Sequence, residues 1–139
     1  MANEETPLYL AKPKTIKGQI DEAGRVLLPV TLMASDGFEL VVEAVINLEF
    51  TGAIVVPESL ARSIGWRCLG ARRVQIGSHI ELLHHYIGLM SLGGTTQTVV
   101  ALGSYRNVAE VGHKLLSGRR LTVDFATQEV IVQNSLASD

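Results

Sequence analysis

His79, Glu81 and His85 are the first residues to weigh as a chemical site. His-x-Glu followed by a second histidine supplies the donor types of a transition-metal centre. The three have the same strand parity and would share one face of an extended segment, but six extended residues span ~20 Å, too far for one ion. The expectation is a solvated polar strand face and no metal. Cys68 is the only cysteine, which excludes an intrachain disulfide and any cysteine-based zinc cluster. Arg67, Arg72 and Arg73 are the kind of neighbours a reactive thiolate keeps. No histidine lies near Cys68 in sequence and no nucleophile motif surrounds it, so a packed thiol is expected. His113, just after a glycine, reads as a surface or subunit-contact residue, and Arg72-Arg73 and Arg119-Arg120 read as surface charge. The remaining candidate is the polar break Asn47-Leu48-Glu49 between the apolar runs of "VINLEFTGAIVVP".

The elements that must position this break are mostly strands. At 139 residues the chain is one domain by size. Hydrophobic residues make up 47% and aromatics only 5%, so the core is built of Val, Ile and Leu, as in a β-rich fold. A net charge of −2, with both signs interspersed, leaves no electrostatic footprint for nucleic acid or an anionic membrane surface. No apolar run approaches the ~18 residues of a membrane span. The start "MANEETPLYLAKPK" lacks the features of a signal peptide. A soluble, cytoplasmic protein without a cofactor is expected.

Period-2 alternation predicts strands around Ile16–Ile20, Val26–Leu32 and Phe38–Ile46, joined by "DEAG" and by an Asp36-Gly37 hairpin turn. After the break comes a short strand over Ala53–Val56. Pro57 then opens a two-turn helix, Glu58 favours its positive end and Gly65 closes it. "RRVQIGSHIELLHHYIGLMSL" predicts a long hairpin with its tip at Gly77-Ser78. "LGGTTQTVVAL" adds a turn and strand. "NVAEVGHKLLSG" predicts a second helix with Asn107 as N-cap and Glu110 completing a capping box. "RRLTVDF" and "EVIVQ" finish as a hairpin. Eight or nine strands and two short helices make a closed or nearly closed all-β domain over 15–133, with a flexible arm at 1–14 and a tail at 134–139. A weak echo between the segments ending "SLARSIG" and "GHKLLSG" suggests an internal duplication.

The run "EAVINLEFTGAIVVPESLARSIGW" resembles the signature of bacterial retropepsin-like aspartic peptidases. In that family an apolar strand delivers Asp-Thr-Gly, followed by Phe-(Thr/Ser)-Gly, a short strand, Pro and a helix. "RRVQIGS" is similar to the family's flap hairpin, and "EVGHKLLSGRRLTVDF" to its later helix and final strands. The resemblance covers about residues 15 to 133. It implies an all-β, retropepsin-like acid-protease barrel with one or two short helices that works as a homodimer, each chain supplying one Asp.

The departure is central. With Phe50, Thr51 and Gly52 aligned, Asn47, Leu48 and Glu49 stand where Asp, Thr and Gly belong. An aspartic peptidase holds two carboxylates sharing one proton; one takes a proton from water and the other polarises the scissile carbonyl. A carboxamide cannot accept that proton. The resemblance therefore implies a catalytically inactive homologue that binds extended peptide by strand addition in a dimeric cleft. Its remnant site is Asn47, Leu48 and Glu49, with Phe50, Thr51, Gly52, Gly77, Ser78 and Gly112 around the ligand. Two alternatives belong to the same family: an active endopeptidase in which Glu49 from two chains replaces the dyad, or a peptidase deliberately silenced at Asn47. The changes at Leu48 and Glu49 favour natural degeneration over the latter. A rival from another class rests on "KGQIDEAGRVLLPVTL", which resembles the core of swapped-hairpin DNA-binding dimers. It lacks a basic face and leaves everything after Gly65 unexplained.

Overall fold

The computed structural model describes residues 15–134. The arm expected over 1–14 lies outside the described residues, as does the tail beyond Asn134. The elements run β1 (Thr15–Ile20), β2 (Val26–Met33), β3 (Glu39–Ile46), β4 (Ile54–Pro57), α1 (Glu58–Ser63), β5 (Arg67–Ile76), β6 (His79–Leu92), β7 (Thr95–Ser104), β8 (Ala109–Val111), α2 (His113–Leu116), β9 (Arg119–Asp124) and β10 (Glu129–Asn134). The chain is an all-β protein with a closed six-stranded barrel. Its strands follow the order β2-β3-β8-β4-β7-β6, and the pairing of Thr31–Met33 with Leu89–Ser91 brings β6 back to β2.

Alternation explains the inside of the barrel. Leu28, Val30 and Leu32 of β2 point inward, as do Met90 and Leu92 of β6. Ile54 and Val56 of β4 and Val111 of β8 are fully buried with them. Each such side chain stabilises the fold by about 1.5–3 kcal/mol relative to exposure. The Asp36-Gly37 turn forms as expected: Gly37 takes a φ of 90°, and the Asp36 carboxylate accepts the Phe38 N–H at 3.0 Å. A ribbon of β1, β10 and β9 packs beside the barrel and buries Ile16, Val130 and Val132 against it. Among the described residues no helix is long and apolar enough to cross a membrane.

Three local expectations are corrected. Pro57 is the last residue of β4 and caps α1 in an extended conformation (ψ 134°), rather than opening the helix. The second helix is far shorter than expected. Ala109–Val111 instead form β8, parallel to β3 and antiparallel to β4, and α2 starts only at His113. A central barrel slot, with Val111 fully buried, outweighs a local capping preference at Asn107. Cys68 is exposed, not packed. A β-bulge between Cys68 and Gly70 interrupts the β5–β6 ladder there, and the thiol accepts the Gly70 N–H at 3.4 Å.

The internal echo has a topological counterpart. Exchanging β2-β3-β4-α1 with β6-β7-β8-α2 leaves the pairing pattern unchanged. β3 pairs with β8 and β4 with β7, both parallel, while β2–β6 and β4–β8 are antiparallel and map onto themselves. The barrel consists of two interleaved copies of one strand-strand-strand-helix unit.

Candidate functional site

The loop Asn47–Ala53 joins β3 to β4. Its first residue is held on every polar atom for which the loop offers a partner. The Asn47 N–H donates to the Val111 carbonyl at 2.9 Å, and the Asn47 carbonyl accepts the Phe50 N–H at 3.2 Å. The side-chain oxygen accepts the Glu49 N–H at 3.1 Å, closing a turn of the kind that favours Asn. The side-chain nitrogen donates to Glu110 Oε1 at 3.2 Å. Both ends of the carboxamide are thereby engaged. Leu48, between them, is 57% exposed at the outer turn of the loop.

Phe50 pins the loop to the protein. It is buried with Val55, Leu83 and Leu102, and Val74 and Ile76 of the β5–β6 hairpin pack against this second cluster. The start of α2 closes the other side. Gly112 donates its N–H to the Ala53 carbonyl at 2.8 Å, His113 to Phe50 at 2.8 Å and Lys114 to Gly52 at 3.1 Å. Amide groups that would otherwise be unpartnered at a helix start are thus satisfied by the loop. A side chain at Gly112 would overlap the Gly52 carbonyl, so this close approach requires glycine.

Most of the residues singled out from sequence meet here. Asn47 through Gly52 form the loop, Gly112 abuts it, and the hairpin tip reaches over it. At the tip Gly77 has a φ of 61°, and a Cβ placed there would lie 3.4 Å from Glu49 Oε1. Ser78 is exposed beside Gly77. Thr51 is exposed at the mouth of a cavity of about 450 Å³ enclosed by the loop, the hairpin, β7 and α2. Val74, Val99, Leu102 and Leu115 give it apolar walls.

The histidine candidates resolve differently. His79 Nε2 lies 2.5 Å from Glu81 Oε2, which also accepts from Arg106 at 3.1 Å, while His85 Nδ1 faces the Leu83 carbonyl at 3.3 Å. Among the described residues, no group of three or more His, Cys, Asp or Glu side chains could hold a metal ion.

Two polar groups escaped the sequence reading. The capping box expected of Glu110 does not form; as a strand residue it turns its carboxylate to Asn47 instead. Glu58 lies in the first turn of α1, as expected, but its carboxylate also reaches the barrel. Its Oε2 lies 2.5 Å from His84 Nδ1 and accepts the Tyr86 hydroxyl at 2.8 Å, which joins α1 to β6. The Tyr86 hydrogen bond is the main cause that holds the Glu58 carboxyl below its usual range, with His84 adding to it against the opposing effect of burial. Burial, reinforced by Glu58, pushes Tyr86 up to about 12. Only the i, i+2 spacing of His84 and Tyr86 hinted that both would reach the same neighbour.

The loop holds no acid–base pair of the kind that activates water. Asn47 is neutral and fully engaged, and Glu49, the only carboxylate in the loop, is exposed beneath the hairpin tip. What the arrangement offers is a rigid loop, an overhanging hairpin and an adjoining apolar cavity. No protein-family model, no curated protein and no solved structure matches this chain.

Proposed function

We propose that the chain is a retropepsin-like barrel that binds extended peptide without cleaving it, as a homodimer. The observation that carries this reading is the Asn47 carboxamide. It opens the loop with both its polar ends hydrogen-bonded, while Glu49 two residues on lies under the hairpin tip and Phe50 to Ala53 line an apolar cavity. Peptide recognition needs a sheet edge and side-chain pockets, and these remain; hydrolysis needs a paired acid and base, which Asn47 removes. Exposed Leu48, at the outer turn of the loop, is an apolar contact suited to a second copy of the chain.

The test is a peptide-library cleavage assay from pH 4 to 8 on the natural chain and on the triple variant Asn47→Asp, Leu48→Thr, Glu49→Gly. The expected outcome is cleavage by the variant alone, with the natural chain retaining measurable peptide affinity. Turnover by the natural chain would overturn the reading and direct mutagenesis to Glu49 and Glu110.

A further inference from the structure

The cavity beside the loop has an asymmetric chemistry. Its walls are largely apolar, no Asp or Glu lines it, and its two ionisable groups are both basic: Lys114 of α2 and His85 of β6. Among the described residues neither is engaged by a carboxylate. Lys114 is also well placed, because its own N–H bonds to the Gly52 carbonyl and fixes the first turn of α2 on the loop. The His85 ring faces the Leu83 carbonyl with Nδ1, which must be the protonated nitrogen there, so the neutral ring offers Nε2 as a hydrogen-bond acceptor. The hydroxyls of Thr51 and Thr98 add neutral donors.

A volume of about 450 Å³ is within the range that encloses a small ligand or one bulky side chain with its terminal group. The cavity also adjoins a strand edge. β5 ends the sheet on this side with one flank unpaired, and its Val74 forms part of the cavity wall. An added peptide strand running along β5 would arrive at the cavity.

We infer that this cavity takes the C-terminal residue of a peptide, an apolar side chain against Val99, Leu102 and Leu115 with its free carboxylate read by Lys114 and the hydroxyls of Thr51 and Thr98, while His85 Nε2 accepts from a peptide N–H. The inference rests on the peptide-binding reading above and specifies which peptides bind. A charge-assisted contact between ammonium and carboxylate discriminates strongly against a neutral group of the same shape. The free acid of a peptide should therefore bind about tenfold or more tightly than its C-terminal amide.

The experiment is calorimetric titration of the full chain with four probes: an acetylated hexapeptide ending in leucine, the same peptide as its amide, a longer peptide library blocked at both ends, and octanoate. Lys114→Met and, as a control outside the cavity, Arg62→Met are titrated alongside. The expected result is preference for the free-acid peptide, lost in Lys114→Met and kept in Arg62→Met. Equal binding of acid and amide would overturn the carboxylate inference, as would binding of the blocked library alone; either leaves the peptide reading standing. Silence from every peptide would overturn both. Octanoate binding in the absence of peptide binding would assign the cavity to small amphipathic acids and overturn the peptide occupant.

Discussion

Asn47 and Glu110 face each other across 3.2 Å as a neutral donor and a carboxylate. That contact carries a consequence for any attempt to restore a carboxylate at the loop. Asn47→Asp would set two carboxylates of one chain at hydrogen-bonding distance, where both cannot remain ionised. One of them would then hold its proton to higher pH in the folded state than in the unfolded one, so stability falls as pH rises. The variant should lose about 1–2 kcal/mol at pH 7, and recover most of it near pH 4, where the pair shares a proton. Urea denaturation at the two pH values checks this. An equal loss at both would mean that the two side chains part in the variant.

At the scale of elements, the junction of α1 with the β5–β6 hairpin depends on Glu58, His84 and Tyr86. The folded Glu58 carboxyl lies below its ordinary value of 4.5. Its contribution is therefore present above pH 4.5 and is lost as pH falls through the lower folded value. Tyr86 acts with the opposite sign. Its folded value is raised from 10.0 to about 12, so the contribution is present below pH 10 and lost as pH rises towards 12. Tyr86→Phe should remove the alkaline loss and move the acid loss to higher pH, because Glu58 loses its strongest hydrogen bond. The cost at neutral pH is about 1–2 kcal/mol. A series of denaturation curves from pH 3 to 12 reads all three effects, and an unchanged alkaline limb in Tyr86→Phe would remove Tyr86 from the account. The loop itself is braced elsewhere, by Phe50 and the start of α2, so peptide binding should survive this substitution.

For the whole molecule the question is assembly. The barrel is closed, so β2, β3 and β8 present no edge, whereas β5 and β9 end the sheet with one flank unpaired. The Asn47–Ala53 loop adds Leu48, which no core cluster covers. A second copy meeting the first at these loops would bring the two cavities to one composite groove. Sedimentation velocity at micromolar concentration should give a dimer for the natural chain and a monomer for Leu48→Glu, with the far-ultraviolet circular dichroism of the two chains alike. A natural chain that stays monomeric at every concentration would remove the shared groove, though not the cavity within each copy.

Much of this protein was legible in its residues because strand signals are local. Alternation located β2, β3 and the long hairpin, and Gly37 and Gly77 marked turns that need a left-handed backbone. The grouping of Asn47–Gly52 with Gly77 and Gly112 came from a family resemblance, and the chain brings these residues together. Other features depended on pairings across large sequence separations. Ala109–Val111 read as helix because Asn107 and Glu110 fit a local cap; only the slot between β3 and β4 makes them a strand. The same switch turns Glu110 from a cap into the partner of Asn47. Cys68 is exposed because β5 is the edge strand outside the barrel, exposed from Arg67 through Arg73, and the place of a strand in the sheet order is not written in its residues. Glu58 and His84 lie 26 residues apart, and what joins them is the packing of a two-turn helix on a barrel strand. The sequence by itself determined the strands, the turns and the absence of an aspartate at the loop, since each depends on near neighbours or on residue identity. The tertiary structure alone decided how the barrel closes, which carboxylate meets Asn47 and where a cavity opens, because those depend on which distant strands share an edge.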